Sequence, residues 1–354
     1  MNEVYTPTMN EWQDFLTGSG SGVRIEDGLV QPFSSVRQEA EAVGEETTLT
    51  PLTHVGVIRV GGEDAADFLQ NQLTNDLREV TFERSQLTAW CSPKGRVLAC
   101  FRLFRTEEYH YLLLPKAILP ATLERLKKYV LISRVTLEDA SEECALLGVA
   151  GAGAEKLLRE AGHDSPPGVN EVVRGEGHTL LGIPGPQPRF IAVGDGAQII
   201  PLWSSLKGRA TPVGTSAWRL LDIRAGLPDI HPETVEAFVP QMINLDLLGG
   251  ISFDKGCYPG QEVVARLRYL GKLKRRMYRA RIECAASPQP GEPLRLAGEG
   301  RDTGKIVEAQ PAAPDGYELL AVVEIASVEN GETIALEKEP QSVLQFLELP
   351  YSLE

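Results

Sequence analysis

The sequence of 354 residues predicts an α+β fold, in which a pseudo-repeated α/β platform precedes a small C-terminal antiparallel β-barrel. From Val55 onward, strand-like apolar segments alternate with helical ones, and a similar order resumes at Ala145. After Gly271, short apolar runs separated by turn residues replace the helical period. We therefore expect a flexible leader at 1–49, a platform at 50–271 with two similar halves (about 50–143 and 144–271), and a barrel at 272–354.

The platform elements follow from local periodicity. Alternating apolar residues predict strands, and apolar residues at i, i+3 and i+4 predict helices. The expected elements of the first half are strand 55–60, helix 64–73, strands 87–91, 97–104 and 109–114, and helix 117–129. Those of the second half are strand 145–149, helix 154–161, a hairpin of 179–183 with 189–193, and helices near 202–207 and 216–224.

A further helix is expected just before the barrel. Val263, Val264, Leu267 and Leu270 share the spacing of one helical face, and Gly271 is a plausible stop. The expected barrel strands are 276–282, 293–296, 304–309, 319–325, 333–336 and 343–347. The helix thus lies at the seam between the two domains, where ligand clefts often occur.

The leader is predicted from composition. Residues 18–22 read Gly-Ser-Gly-Ser-Gly, and residues 39–46 form an acidic run. With so few apolar positions, the segment is expected to be mobile or loosely attached. Residues 1–11 lack a basic region followed by an apolar run, and no stretch is long and apolar enough to span a membrane. A cytoplasmic location follows as an expectation.

Charge and cysteine content narrow the function classes. The net charge of −14 disfavours general nucleic-acid binding, because phosphates would be repelled. The five cysteines are odd in number and contain no C-x-x-C pair, so neither a disulfide framework nor a permanently bound metal is expected. A transient or shared cluster stays open. No histidine pair has metal-ligand spacing, no catalytic triad is recognisable and no Walker-type phosphate loop is present.

The most informative string is Lys255-Gly256-Cys257-Tyr258-Pro259-Gly260-Gln261-Glu262. A thiol near a cation or a helix N-terminus becomes a better nucleophile, because its thiolate is stabilised. Pro259 suits a first helical turn, and Glu262 complements the helix dipole. We expect Cys257 to be a functional thiol and Lys255 its activator. Alternatively, the glycines only permit a turn and Cys257 is a small buried hydrophobe.

Basic residues concentrate around this string. Residues 251–280 carry +6, which leaves −20 on the rest of the chain. The candidate basic patch consists of Arg266, Arg268, Lys272, Lys274, Arg275 and Arg276. It would suit the carboxylates of an anionic ligand, an RNA backbone or an acidic partner. The alternative is a solvated helix face followed by a cation-protected edge strand.

The string resembles the K-G-C-Y-x-G-Q-E signature of the YgfZ-type folate-binding proteins, relatives of the glycine-cleavage T-protein aminomethyltransferase. Seven of its residues match: Lys255, Gly256, Cys257, Tyr258, Gly260, Gln261 and Glu262. The resemblance extends over about residues 50–354. Its other matching segments are 68–70, 72–76, 94–95, 238–245, 249–253, 264–266 and 349–354.

The resemblance implies a tetrahydrofolate-binding accessory factor for iron–sulfur cluster assembly or repair, supporting client enzymes that include tRNA-thiolating ones. Ala99 and Cys100 stand where the T-protein has catalytic aspartates, so no classical enzyme activity is expected. Arg224 replaces a glutamate that pairs with the pterin in many relatives, and Val55 replaces a folate-contacting tryptophan. Trp218 matches a second family tryptophan.

Candidate folate contacts follow from the resemblance and from residue chemistry. The set is Trp218, Gln72, Asn75, Asp76, Lys94 and Asn244. Trp218 would form an apolar slot, although a tryptophan at this spacing is also typical of a core. Asn75 and Asp76 would meet the polar edge of the pterin, or would simply end a helix. Lys94 lies in a turn that is either a ligand loop or an exposed hairpin.

Two other functions stay open from the sequence. One is a tetrahydrofolate-dependent aminomethyl or one-carbon transferase. The other is an RNA-binding module that uses the basic patch for weak RNA contact, for which binding should fall steeply with salt.

Overall fold

A computed structural model describes residues 11–18, 21–175 and 177–353. The first part of the chain contains two helices, α1 and α2, and three short strands. Their bounds are α1 (Glu11–Thr17), β1 (Ile25–Glu26), β2 (Leu29–Val30), α2 (Val36–Glu45) and β3 (Thr48–Pro51).

The first half of the platform follows the predicted order closely. Its elements are β4 (Val55–Gly61), α3 (Ala65–Gln72), β5 (Gln86–Cys91), β6 (Val97–Arg105), β7 (His110–Pro115), α4 (Leu119–Lys127) and β8 (Thr136–Asp139). The five strands form one antiparallel sheet in the order β5-β6-β7-β4-β8. Strand β8 was not predicted from the sequence.

The second half contains the predicted elements and two additional short strands. Its elements are β9 (Ala145–Ala150), α5 (Ala154–Glu160), β10 (Val172–Arg174), β11 (His178–Ile183), β12 (Arg189–Gly194), α6 (Gly196–Leu206), β13 (Thr211–Pro212) and α7 (Thr215–Ala225). The sheet order is β10-β11-β12-β9-β3-β13, so β3 joins it from the predicted leader segment. Local periodicity does not predict that a strand pairs with a sheet formed by later parts of the chain.

The predicted helix before the last domain is α8 (Gln261–Tyr269). The last domain then contains β14 (Arg275–Ile282), β15 (Pro293–Leu296), β16 (Asp302–Pro311), β17 (Tyr317–Glu324), α9 (Ile325–Glu329), β18 (Ile334–Leu336) and β19 (Gln345–Leu347). Its strands form a curled antiparallel sheet in the order β18-β15-β16-β17-β14-β19. This confirms the predicted α+β class and the antiparallel C-terminal domain.

The predicted flexible leader differs from the structure, apart from residues 1–10, 19 and 20, which lie outside the described part. Trp12 and Leu16 of α1 are buried and pack in one cluster with α6. In α2, Glu39 is only 2% exposed, and its carboxylate accepts hydrogen bonds from the backbone amides of Phe33 and Gly214. An acidic run therefore packs here because backbone donors satisfy the buried charge.

The segment between α7 and α8 packs on the first half of the platform. Ile230, Phe238 and Leu245 belong to the same apolar cluster as the strands β5 and β6. Arg96 donates a hydrogen bond to the Ala237 carbonyl, and the amide of Val97 donates to Phe238. The segment predicted to belong to the second half thus returns to the first and carries the Cys257 string with it.

Candidate functional site

Lys255 connects the Cys257 string to the end of α3. Lys255 is 5% exposed, and its ammonium donates hydrogen bonds to the carbonyls of Gln70 (2.6 Å), Leu73 (2.6 Å) and Asn75 (3.0 Å). Carbonyls at the end of a helix lack intrahelical partners, and a cation is favourable there. Burial lowers the pKa of Lys255 to about 8, an effect that Asp76 opposes.

The structure gives the Lys255 ammonium carbonyl partners, and its predicted role as activator of the Cys257 thiol stays a prediction. An ammonium has three N–H donors, and here all three are directed to carbonyls. Cys257 lies in the loop that precedes α8 and is exposed to solvent. Helix α8 begins at Gln261, so Pro259 and the thiol both precede its first turn.

Gly260 and Gly95 bring the Lys94 turn against the start of α8. Gly260 has φ +82°, and a Cβ placed there would lie 2.5 Å from the carbonyl oxygen of Ser92. A Cβ on Gly95 would lie 2.8 Å from Cβ of Val263. Two backbones approach this closely only where both residues are glycine. Lys94 is exposed at the tip of this turn, near the string that contains Cys257.

The rest of the string has mainly structural contacts. Tyr258 is buried, and the Lys255 ammonium lies 5.3 Å from its ring centroid. The Gln261 side chain donates to the Lys255 carbonyl at 3.5 Å, while Glu262 is exposed in the first turn of α8. Gly256 has open space around its Cα position.

Three of the predicted folate contacts are bound within the protein. Asn75 donates to the carbonyls of Leu87 (2.9 Å) and Gly249 (2.7 Å). Asp76 forms an ion pair with Arg78 at 2.5 Å, and the hydrogen bond from Arg78 lowers the pKa of Asp76 to about 2. Asn75 and Asp76 thus order the turn after α3, and their contact with a pterin edge stays a prediction.

Asn244 also has a structural position. It is fully buried, and its side chain donates to the Met277 carbonyl (2.9 Å) and to the Tyr351 hydroxyl (3.2 Å). These bonds join the platform to the C-terminal sheet. Unlike Asn75, Asp76 and Asn244, the Gln72 side chain has a buried oxygen, Oε1, without a hydrogen-bond partner among the described residues.

Three positions singled out in the sequence meet at one central cavity of about 120 Å³. Val55, Cys100 and Trp218 all line it. Trp218 is 3% exposed, and its ring packs against Gly148, where a Cβ would lie 2.4 Å from Cζ3. The Arg189 guanidinium lies 4.5 Å from the ring centroid on the same indole. Trp218 is therefore both part of the core and part of the cavity wall.

Four polar side chains of the cavity were missed by the sequence analysis: His54, Arg102, Asp222 and Asp229. Burial raises the pKa of Asp229 to about 7 and lowers that of Arg102 to about 10. Burial also lowers the pKa of His54, whose Nδ1 is buried without a partner among the described residues.

The two cavity carboxylates differ in their partners. Asp222 accepts a hydrogen bond from Arg189 at 2.8 Å, and burial raises the pKa of Asp222 despite that cation. Asp229 accepts one bond at Oδ1, from the Ile230 amide at 3.1 Å. Both aspartates lie within five positions of Arg224. A search for carboxylates near the replaced glutamate would have found them.

Arg224 itself points away from the cavity. Its guanidinium lies 3.0 Å from Glu318 on β17, which also forms an ion pair with Arg279 at 2.6 Å. Arg224, singled out in the sequence as a departure from the resemblance, therefore connects the platform to the C-terminal sheet.

Comparisons with known proteins agree with this architecture. Residues 13–168 match the family model of the GCVT N-terminal domain. The structure superposes on the glycine cleavage system aminomethyltransferase T from Bartonella henselae with a TM-score of 0.74 and 18% identity, over 90% of this chain and 89% of that one. Residues 13–168 thus match this domain, and the chain as a whole shares the fold of that aminomethyltransferase.

A weaker match is to heterotetrameric sarcosine oxidase from Corynebacterium sp. U-96, at 16% identity and a TM-score of 0.34. It covers 48% of this chain and 89% of the oxidase chain.

The candidate basic patch divides into two groups. Arg275 forms ion pairs with Asp302 and Glu324, and Arg276 forms one with Asp246 at 3.0 Å. Arg275 therefore stabilises the last domain, and Arg276 joins that domain to the segment between α7 and α8. The other four members stay exposed on and after α8: Arg266, Arg268, Lys272 and Lys274.

Two further features bear on ligands and location. In the ranges 11–18, 21–175 and 177–353, no three His, Cys, Asp or Glu side chains group as metal ligands. Over the same ranges, no helix combines the length and apolarity needed to cross a bilayer.

Proposed function

We propose that this GcvT-like protein binds tetrahydrofolate in its central cavity and acts in the cytoplasm as an accessory factor for iron–sulfur enzymes, including tRNA-thiolating ones. The observation that carries the proposal is the convergence of Trp218, Asp229 and Arg102 on one cavity. An apolar wall, a carboxylate and a guanidinium are the groups that a pterin ring requires.

The unpartnered groups in the cavity fit a pterin. The pterin edge carries adjacent N–H donors, which a carboxylate accepts in a charge-assisted arrangement. Asp229 has one oxygen without a protein partner among the described residues, since only its Oδ1 accepts a bond from Ile230. Nδ1 of His54 is likewise unpartnered and buried. A ligand with several donors and acceptors would satisfy these atoms at once.

The size of the cavity limits which part of the ligand enters. A volume of about 120 Å³ is small, since sites for whole drug-sized ligands span roughly 300–1,000 Å³. The pteridine ring would occupy the cavity, and the benzoylglutamate would extend outside it. The tail carboxylates would then meet surface cations rather than the cavity wall.

The accessory role rests on the replaced aspartates. Ala99 and Cys100 are buried on β6, and burial raises the pKa of the Cys100 thiol well above its usual range. A neutral thiol and a methyl group supply no anion at these positions. This supports a binding function over the one-carbon transferase reaction. Cys257, exposed in its loop, is the thiol accessible to a client protein.

Calorimetric titration with tetrahydrofolate tests the ligand. Asp229→Asn should weaken binding about tenfold or more, because a hydrogen bond to a charged group is lost. Trp218→Phe reduces the aromatic wall and should also weaken binding. Asp164→Asn, which removes an exposed carboxylate elsewhere, is the matched control. Equal affinity in Asp229→Asn and Asp164→Asn would exclude this cavity as the site.

Complementation in cells that lack the protein tests the role of the thiol. Cys257→Ser should lower tRNA thiolation, while Cys284→Ser, in the C-terminal domain, should not. Undiminished thiolation in the Cys257 variant would remove the thiol from the function. Formation of 5,10-methylene-tetrahydrofolate from a supplied amine donor would instead establish the transferase alternative.

A further inference from the structure

A second cavity, of about 240 Å³, lies between β5, β6, α4 and the 3-10 helix Pro232–Thr234. It shares no lining residue with the central cavity. Its walls are largely apolar and include Leu98, Ile118 and Pro232. Two small residues are exposed at its edge and leave it open to solvent: Ala117, in the 3-10 turn just before α4, and Ala121 in α4.

Trp90 provides an unsatisfied donor in the wall of this cavity. Trp90 is 0% exposed, yet its indole Nε1 has no hydrogen-bond partner in the described part of the chain. A buried donor without an acceptor is unfavourable, so native structures rarely leave one. Tyr129 contacts the same ring edge-on, with the two ring centroids 5.8 Å apart.

Arg125 provides a cation at the same place. Its guanidinium lies 5.8 Å from the Trp90 ring centroid, and its side chain also lines the cavity. Its protein partner is Glu236, at 3.2 Å. Both side chains of that pair are more than two-fifths exposed, so the ion pair is weak and a competing carboxylate can replace it.

We propose that this cavity is a second ligand site, for a small aromatic or branched aliphatic carboxylate. The apolar body of the ligand lies against Leu98, Ile118 and Pro232. Its carboxylate binds Arg125 in place of Glu236, and one of its oxygens accepts the Trp90 N–H. An apolar wall with a few directed polar groups is the usual composition of a small-molecule site.

The probe is 3-phenylpropionate, and 3-phenylpropanol is its uncharged counterpart. In ¹H–¹⁵N spectra of the full chain, the acid should shift the indole N–H signal that Trp90→Phe removes. Arg125→Gln should weaken binding about tenfold or more, because the charge-assisted contact is lost. Arg159→Gln is the matched control, since Arg159 is an exposed arginine in the last turn of α5.

Filling the cavity tests its location. Ala121 is exposed, so Ala121→Leu should fold normally, occupy the cavity and abolish binding, whereas Ala121→Ser should retain it. Both variants should bind tetrahydrofolate like the unaltered protein, which separates this site from the central cavity. Equal binding of acid and alcohol, no shift of the Trp90 signal, or full binding by Ala121→Leu would each overturn the proposal.

Discussion

Lys255 Nζ lies 2.6 Å from the carbonyl oxygen of Leu73, a residue 182 positions earlier in the chain. This bond, with those to Gln70 and Asn75, holds the Cys257 loop against the end of α3. The Lys255 ammonium thus supplies donors to carbonyls at a helix terminus and anchors the loop that carries the exposed thiol.

Lys255→Met should destabilise the protein by about 2–4 kcal/mol, because three buried carbonyls lose their donor. Urea unfolding would measure the change. Lys94→Met is the matched control, since Lys94 is exposed in the neighbouring turn. If the two variants were equally stable, the carbonyl contacts would not anchor the loop.

Gly260→Ala should destabilise the protein by about 2–4 kcal/mol, through an unfavourable backbone conformation and a clash. The added Cβ would lie 2.5 Å from the Ser92 oxygen at φ +82°. Gly256→Ala is the control within the same string, because open space surrounds Gly256 and its φ is not left-handed. That variant should change stability by less than about 0.5 kcal/mol. Similar thermal unfolding of both variants would contradict the close approach.

Leu16→Ala should destabilise the protein by about 2–5 kcal/mol, as large-to-small changes in a core do. Leu16 is fully buried in the cluster that contains Trp203 of α6. Gln13→Ala, on the exposed side of α1, is the control. Chemical denaturation monitored by circular dichroism measures both. No effect of Leu16→Ala would restore the expectation of a loosely attached leader.

The buried pair of His231 and Glu308 predicts a pH dependence of stability. The two side chains lie 2.7 Å apart. Burial disfavours the charged form of each side chain, but the hydrogen bond and the opposite charge of the other side chain outweigh burial. The pKa of His231 is therefore raised, and the pKa of Glu308 is lowered. Asp229 also raises the pKa of His231, and Arg219 lowers both pKa values.

The His231 contribution is complete below its ordinary pKa of 6.5 and is lost as pH rises through the raised value. The Glu308 contribution is complete above 4.5 and is lost as pH falls through the lowered value. The stability difference between the unaltered protein and His231→Gln should therefore be largest between these two pH values. Urea unfolding between about pH 4 and pH 9 measures this stability difference. The range spans about five units and is centred on the ordinary pKa of His. A difference independent of pH would show that the pair is not ionised.

Elements with strong periodicity were predictable from the sequence. Strand β4, helix α3 and the hairpin of β11 and β12 lie within a few residues of their expected bounds, because alternating or helical apolar spacing is a local property. The face predicted for α8 is only partly buried, since Val264 is buried but Leu270 is 86% exposed. Periodicity predicts which residues share a face but not whether another element covers it.

By itself, the sequence determined the α+β class, the antiparallel last domain and the string around Cys257. Only the tertiary structure decided that the Lys255 donors bind the end of α3, that β3 crosses into the second sheet and that Asp229 lies in the central cavity. The physical reason is that helical and strand periods are encoded within a few residues. Hydrogen-bond partners and cavity walls instead join segments that the chain separates by more than a hundred positions.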